Sequence, residues 1–347
     1  MRAILLFTIL CASLPATDWT WNLPKGFPKP QVPADNPMTV EKVELGRYLF
    51  YDTRMSVNGK QSCATCHKQE LAFTDGQPVG IGATGEKHTR GSMSLVNVAY
   101  SAALTWGNPE MTELEKQALV PMMGEHPVEL GLREGDKFLP SLSADAKYKA
   151  LFVKAFPDDK DPINIANVTK AIANFERSII SARSPYDRYH YYREDAAVSD
   201  SAKRGEIVFF SQNVSCSRCH RGFNFSSDSV GEHKPNQTPE IDFHNTAVSA
   251  GPDKFKAPTL RNIAITAPYM HDGSIATLEA ALDHYAAGGR FPENPDKDVL
   301  LTGFVLNAEQ RHDLLEFLKT LTDREVLHDP RFANPWSSKT VNAKIVH

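Results

Sequence analysis

The chain has 347 residues, 41% hydrophobic and 9% aromatic, enough length and apolar content for a buried core and for two structural units. Its 38 Lys and Arg residues are scattered among 42 Asp and Glu, and the net charge of -4 leaves no basic footprint for nucleic acid.

The first residues, MRAILLFTILCASLPATDW, carry Arg2, an apolar run from Ala3 to Leu14, and small residues at Ala12, Ser13 and Ala16. This is the pattern of a cleaved signal peptide, expected over residues 1–17. The run falls short of the roughly 20 apolar residues that a membrane span needs, and no later stretch is long and apolar enough either. Leu10 before Cys11 does not suit a lipoprotein signal. Cleavage removes Cys11 and leaves Cys63, Cys66, Cys216 and Cys219.

All four belong to two copies of one motif. A helix with bulky apolar residues and a polar loop, LGRYLFYDTRMSVNGKQSCATCH, ends on Cys63, Cys66 and His67, and RGEIVFFSQNVSCSRCH repeats the arrangement on Cys216, Cys219 and His220. Disulfides, a zinc site with four thiolates, and covalent haem attachment compete for such cysteines. Only the last needs the histidine. Two thiols three residues apart lie on one edge of a helical turn and can bond the two vinyl groups of a haem, and the adjacent imidazole becomes the proximal iron ligand. The chain is therefore expected to hold two haem c groups in a mainly α fold of two cytochrome c-like domains, residues 18–183 and 201–347. The polar, turn-rich SARSPYDRYHYYREDAAVSDSA supplies the linker, 184–200.

Between the motifs, INIANVTKAIANFERSII places Ile163, Ile165, Val168, Ile172, Phe175 and Ile179 at helical spacing, predicting a helix over 163–180. After the second motif, Thr277 can cap a helix that ends near Gly288, with Leu278, Ala281, Leu282 and Tyr285 on one face. Taken alone, Tyr285 reads as a core tyrosine. NAEQRHDLLEFLKTL opens on an Asn307/Gln310 capping pattern before Leu314, Leu315, Leu318 and Leu321. Strand patterns are scarce, and Pro and Gly punctuate long loops. Trp336, near the end of the chain, reads as packing or as a surface relay for holes.

These motifs, with LGRYLFYDTR, SLVNVAY, EKQALVP, PVELG and KAPTLRNIAITAPYMHDGSIATLEAALDHYAAGG, resemble the bacterial di-haem cytochrome c peroxidase and MauG superfamily along nearly the whole mature chain. The resemblance implies a periplasmic enzyme whose first haem meets hydrogen peroxide and whose second relays electrons. Tyr285 lies 19 residues after Thr266, where typical members place a methionine ligand and the MauG-like branch a tyrosine. A phenolate is a hard anion that favours ferric iron, where a thioether favours ferrous. Met270 and His271 are rival ligands. Over the first haem, the resemblance implies Gln117 and Glu129 as the distal polar pair and Pro121 as packing. Glu129 is the expected acid/base for peroxide cleavage, with Glu125 and His126 as substitutes because MMGEH lengthens that stretch. His88 lies closer to the following Arg90 than the family's distal ligand does and reads as a surface residue, which leaves the first haem open. Trp106 matches the tryptophan between the haems. A calcium ion is implied near the carbonyls of Thr266 and Pro268. Gly91 stands where its asparagine partner is expected, and Asn97 is a substitute.

Three functions follow from this resemblance. The leading one is a MauG-like enzyme that uses peroxide to store two oxidising equivalents across the two irons and then oxidises a residue, such as a tryptophan, of a partner protein. GATGEKHTRGSMSLVNVAY and GEHPVELGL look most like the methanobactin-associated MbnH branch. The others are a peroxidase fed by a small cytochrome or copper protein and a non-catalytic electron carrier.

Overall fold

The computed structural model describes residues 17–229 and 241–337, so the expected signal segment lies, but for its last residue, outside the described residues. The architecture is helix-rich. In chain order run α1 (Val40–Phe50), α2 (Cys63–Cys66), α3 (Leu114–Gln117), α4 (Leu119–Met123), α5 (Phe138–Ala144), α6 (Ala146–Ala155), α7 (Ile165–Ser178), α8 (Pro185–His190) and α9 (Asp200–Phe210). One small antiparallel sheet, β1 (Phe243–His244) with β2 (Phe255–Lys256), precedes α10 (Leu278–Ala286) and α11 (Ala308–Thr320). No helix among the described residues is long and apolar enough to cross a membrane.

Side-chain caps set the helix starts. Thr39 Oγ1 accepts from Lys42 N at the head of α1, and Asn307 and Gln310 form a reciprocal capping box on α11. Asn164 accepts from Asn167 N and starts α7 at Ile165. Ile163 lies before that cap and packs on the core from outside the helix, which is why the apolar spacing overruns the helix at this end.

The two motif-bearing repeats have the same packing. α1 crosses α7, and α9 crosses α11, each through a glycine. A Cβ on Gly46 would stand 1.9 Å from Ala171 O, and one on Gly205 would stand 1.9 Å from Asp313 O. Around the first crossing cluster Leu45, Leu49, Phe152, Val168 and Ile172; around the second, Phe209, Phe225, Leu282, Leu314 and Phe317. Each such side chain contributes roughly 1.5–3 kcal/mol by leaving water, so these helix pairs, not the two-residue strands, hold the fold.

The segment expected as a linker is packed at its start, in α8, and largely exposed from Arg193 to Asp200. Ser184 caps α8, and Asp187 is fully buried with both carboxylate oxygens 2.9 Å from the Arg261 guanidinium. Ser184 and Asp187 pair in the interior, whereas Arg188, Arg193, Glu194 and Asp195 are exposed. The end of the described chain returns to the first repeat. Arg47 Nη1 donates to Pro330 O (2.9 Å), Tyr51 OH to Phe332 O (2.8 Å), and Gln69 Nε2 to Asp329 O (2.9 Å). Trp336 is 41% exposed and stands edge-on to Tyr48, with Lys147 over its ring. That is a packed clamp, and the cation disfavours holding positive charge on the indole.

Candidate functional site

Each Cys-x-x-Cys-His turn lines its own cavity. The first cavity, about 620 Å³, has Cys63, Cys66 and His67 on one wall and Gln117, Pro121 and Glu129 on others. The second, about 360 Å³, is lined by Cys216, Cys219, His220 and Tyr285, with Met270 and His271 also on its wall. Trp106 lines both, and its Nε1 donates to Gly91 O at 2.8 Å. A smaller cavity of about 110 Å³ between them is lined by Trp106, Gly91, Thr266 and Pro268. Asn97 is not on its wall; its Oδ1 accepts from Ser181 N at 2.7 Å and its Nδ2 donates to Asn224.

The donor chemistry in both large cavities fits covalent haem. All four cysteines are free of disulfides. Burial pushes the Cys63, Cys66 and Cys216 thiols up, Cys66 to about 11 and Cys216 to about 12. Among the described residues no three His, Cys, Asp or Glu side chains converge as a metal cluster, which opposes a zinc site built from both motifs. His67 Nδ1 donates to Phe73 O (2.9 Å), and His220 Nδ1 is shared by Phe225 O (3.2 Å) and Pro258 O (3.1 Å). Burial lowers both imidazoles, His220 to about 4. A neutral imidazole with Nδ1–H committed to a carbonyl keeps the Nε2 lone pair for a metal. In the second cavity His244 Nδ1 lies 2.6 Å from Asp298, and the ring also meets the Cys219 thiol.

Tyr285 comes to the second cavity on α10, whose start Thr277 caps by accepting from Ala280 N. Burial raises its phenol above the usual value. A phenolate at this place therefore requires a bound cation. His271 is stacked on Phe255, ring centroids 3.8 Å apart, which accounts for its ring by packing.

In the first cavity, Gln117 closes α3 and Pro121 lies in α4, joined through helical Ala118. Glu125 is exposed and off the cavity wall, whereas His126 and Glu129 line it. Burial raises the Glu129 carboxyl. His88 corrects the sequence-based expectation. It is not simply on the surface but lines this cavity, Nε2 standing 3.6 Å from Glu129 Oε1. The loop hydrogen bonds His88 N to Gly80 O and Gly82 N to Glu86 O fold the residue inward, and Ala83 N to Glu129 O (2.6 Å) fastens the loop to the opposite wall. Arg90 N donates to His88 Nδ1 (3.1 Å), so the neutral ring carries its proton on Nε2, toward the carboxylate.

Sequence reasoning missed Glu176. It lines the first cavity from α7, and its Oε2 is buried without a hydrogen-bond partner. The signal was present: Glu176 stands four residues after Ile172, on the apolar stripe of the helix.

Residues 40–196 match a family model described as di-haem cytochrome c peroxidase. The chain is 34% identical to methylamine utilization protein MauG of Methylorubrum extorquens over 89% of this chain and 85% of that one. It is 31% identical to cytochrome-c peroxidase IdrP1 of Denitromonas iodatirespirans over 95% of each. Its fold overlays a crystal structure of a MauG-like protein associated with microbial copper homeostasis with a TM-score of 0.88, at 40% identity, covering 92% of this chain and all of that one.

Proposed function

Because the chain belongs to the di-haem cytochrome c peroxidase family and is a peroxide-dependent oxidoreductase, we propose that it takes two electrons from a residue, such as a tryptophan, of a partner protein and passes them to hydrogen peroxide. Haem c, bound in each large cavity, supplies the iron that exchanges these electrons. The net change is H2O2 + 2H⁺ + 2e⁻ → 2H2O, with the partner oxidised.

In this reading Cys63, Cys66, Cys216 and Cys219 hold the two haems, and His67 and His220 ligate the irons. Gln117 and Pro121 shape the face left open to peroxide. Glu129 takes a proton from the inner peroxide oxygen and returns it to the outer one, which leaves as water. Trp106 stands between the two sites. Thr266 and Pro268 offer carbonyl oxygens to calcium in the small cavity. The proposal includes export to the periplasm and a division at 18–183 and 201–347 around one haem each.

The observation that carries the reading is Tyr285 on the wall of the second cavity. A hard anionic ligand opposes the ferrous state that a peroxidase fed by a small cytochrome or copper protein relies on. The relative associated with copper homeostasis makes a metal-handling protein a suitable partner. Tyr285→Met tests this: the thioether variant is expected to show a higher second-haem potential and faster peroxide-driven oxidation of reduced cytochrome c. Rapid turnover of that donor by the unaltered protein, unchanged by the substitution, would favour the small-donor peroxidase.

A further inference from the structure

Glu176 has no place in the proton chemistry assigned to Glu129, yet it reaches the same cavity. Its residue is 5% exposed, on a stripe of α7 shared with Ile165, Thr169, Ile172 and Ala173. The adjacent cation, Arg177, compensates it only in part. The Arg177 guanidinium is held by Glu115 through two bonds of 2.8 Å, and Glu115 brings a second negative charge. An ionised carboxylate buried without a partner is strongly disfavoured and takes up a proton instead. A leucine would complete this stripe without that cost, so packing does not account for an acid here.

We propose that Glu176 is a proton donor of the first cavity and supplies one of the two protons consumed when peroxide is reduced to water. This rests on the peroxide site assigned above. The O–O bond breaks, two electrons arrive from the partner, and the proton leaves the Glu176 carboxyl for a peroxide-derived oxygen. Solvent then restores it. The role is distinct from that of Glu129, which moves a proton already on peroxide and gains none.

The groups acting on Glu176 agree with this role. Burial pushes it up to about 8, Arg177 opposing and Glu115 assisting; Cys63, on α2, holds haem in this reading and does not titrate. Glu176 is thus protonated at neutral pH while a solvent-exposed carboxyl is not.

The test uses the holoprotein and Glu176→Gln, with Glu176→Leu and Glu176→Asp as further variants. In the unaltered protein, an infrared band of a protonated carboxylic acid is expected to fade as pH rises through about 8, and to be missing from the Gln and Leu forms. The peroxide reaction is expected to slow by at least about tenfold in Gln and Leu, to lose its break near 8, and to recover in part in Asp. A Gln form that keeps the original rate and pH break, while Glu129→Gln is slow, would overturn this inference and leave the peroxide site standing. An unaltered holoprotein inert to peroxide would overturn both.

Discussion

Glu129 and His88 face each other across 3.6 Å, just beyond hydrogen-bond length, and such contacts often tighten once substrate is in place. The carboxylate must be ionised to accept the first peroxide proton, and burial raises its pKa. The rate of peroxide reaction should therefore rise with pH through that raised value. Glu129→Gln should cost about 10²- to 10⁴-fold and abolish the rise, as measured by stopped-flow absorbance. The Nε2–H of His88 favours the ionised carboxylate, so His88→Ala should move the rise to higher pH and His88→Gln, which keeps a donor, should largely restore it. The place of Glu129 on the cavity wall was legible through the resemblance. His88 was not, because its place depends on a loop fastened to the opposite wall by Ala83 N and Glu129 O, a pairing no local pattern encodes. Glu176 adds a sign that can be worked out. Its raised pKa means that the native state holds a proton the unfolded chain releases, so its contribution to stability is complete below the ordinary carboxyl range and is lost as pH rises through about 8. Melting of Glu176→Gln should show less of that decline, which runs from the ordinary carboxyl range up to about 8.

At the level of elements, the two Cys-x-x-Cys-His turns follow helices that cross a later helix at a glycine. The repeat visible in LGRYLF and RGEIVFF is thus a repeat of packing, with Gly46 against Ala171 and Gly205 against Asp313. Gly205→Ala should destabilise the second repeat by about 1–3 kcal/mol through overpacking, seen in thermal unfolding of the holoprotein; an unchanged midpoint would show that α9 and α11 can separate without cost. The start of α10 and the capping box of α11 were legible because their signals lie within a few residues. The packing of α8 was not, since Asp187 finds its partner, Arg261, far along the chain. Polarity marks a segment as solvated only when its charges have no partner in the interior.

For the molecule as a whole, the arrangement places one cavity on each motif, Trp106 on the walls of both, and the end of the described chain back against the first repeat. The Cys and His positions could be read directly because covalent attachment fixes their spacing. The walls of each cavity could not, since they come from α3, α4 and α7 on one side and α10 on the other. The central claim is that the first iron is open to peroxide while Tyr285 ligates the second. It is tested most directly by electron paramagnetic resonance of the fully ferric holoprotein, before and after stoichiometric peroxide, with Tyr285→Phe alongside. The account predicts one high-spin and one low-spin haem, both signals lost on adding peroxide without prior reduction, and a low-spin signal altered by the substitution. Two low-spin haems that ignore peroxide until partly reduced, with spectra indifferent to Tyr285→Phe, would contradict it.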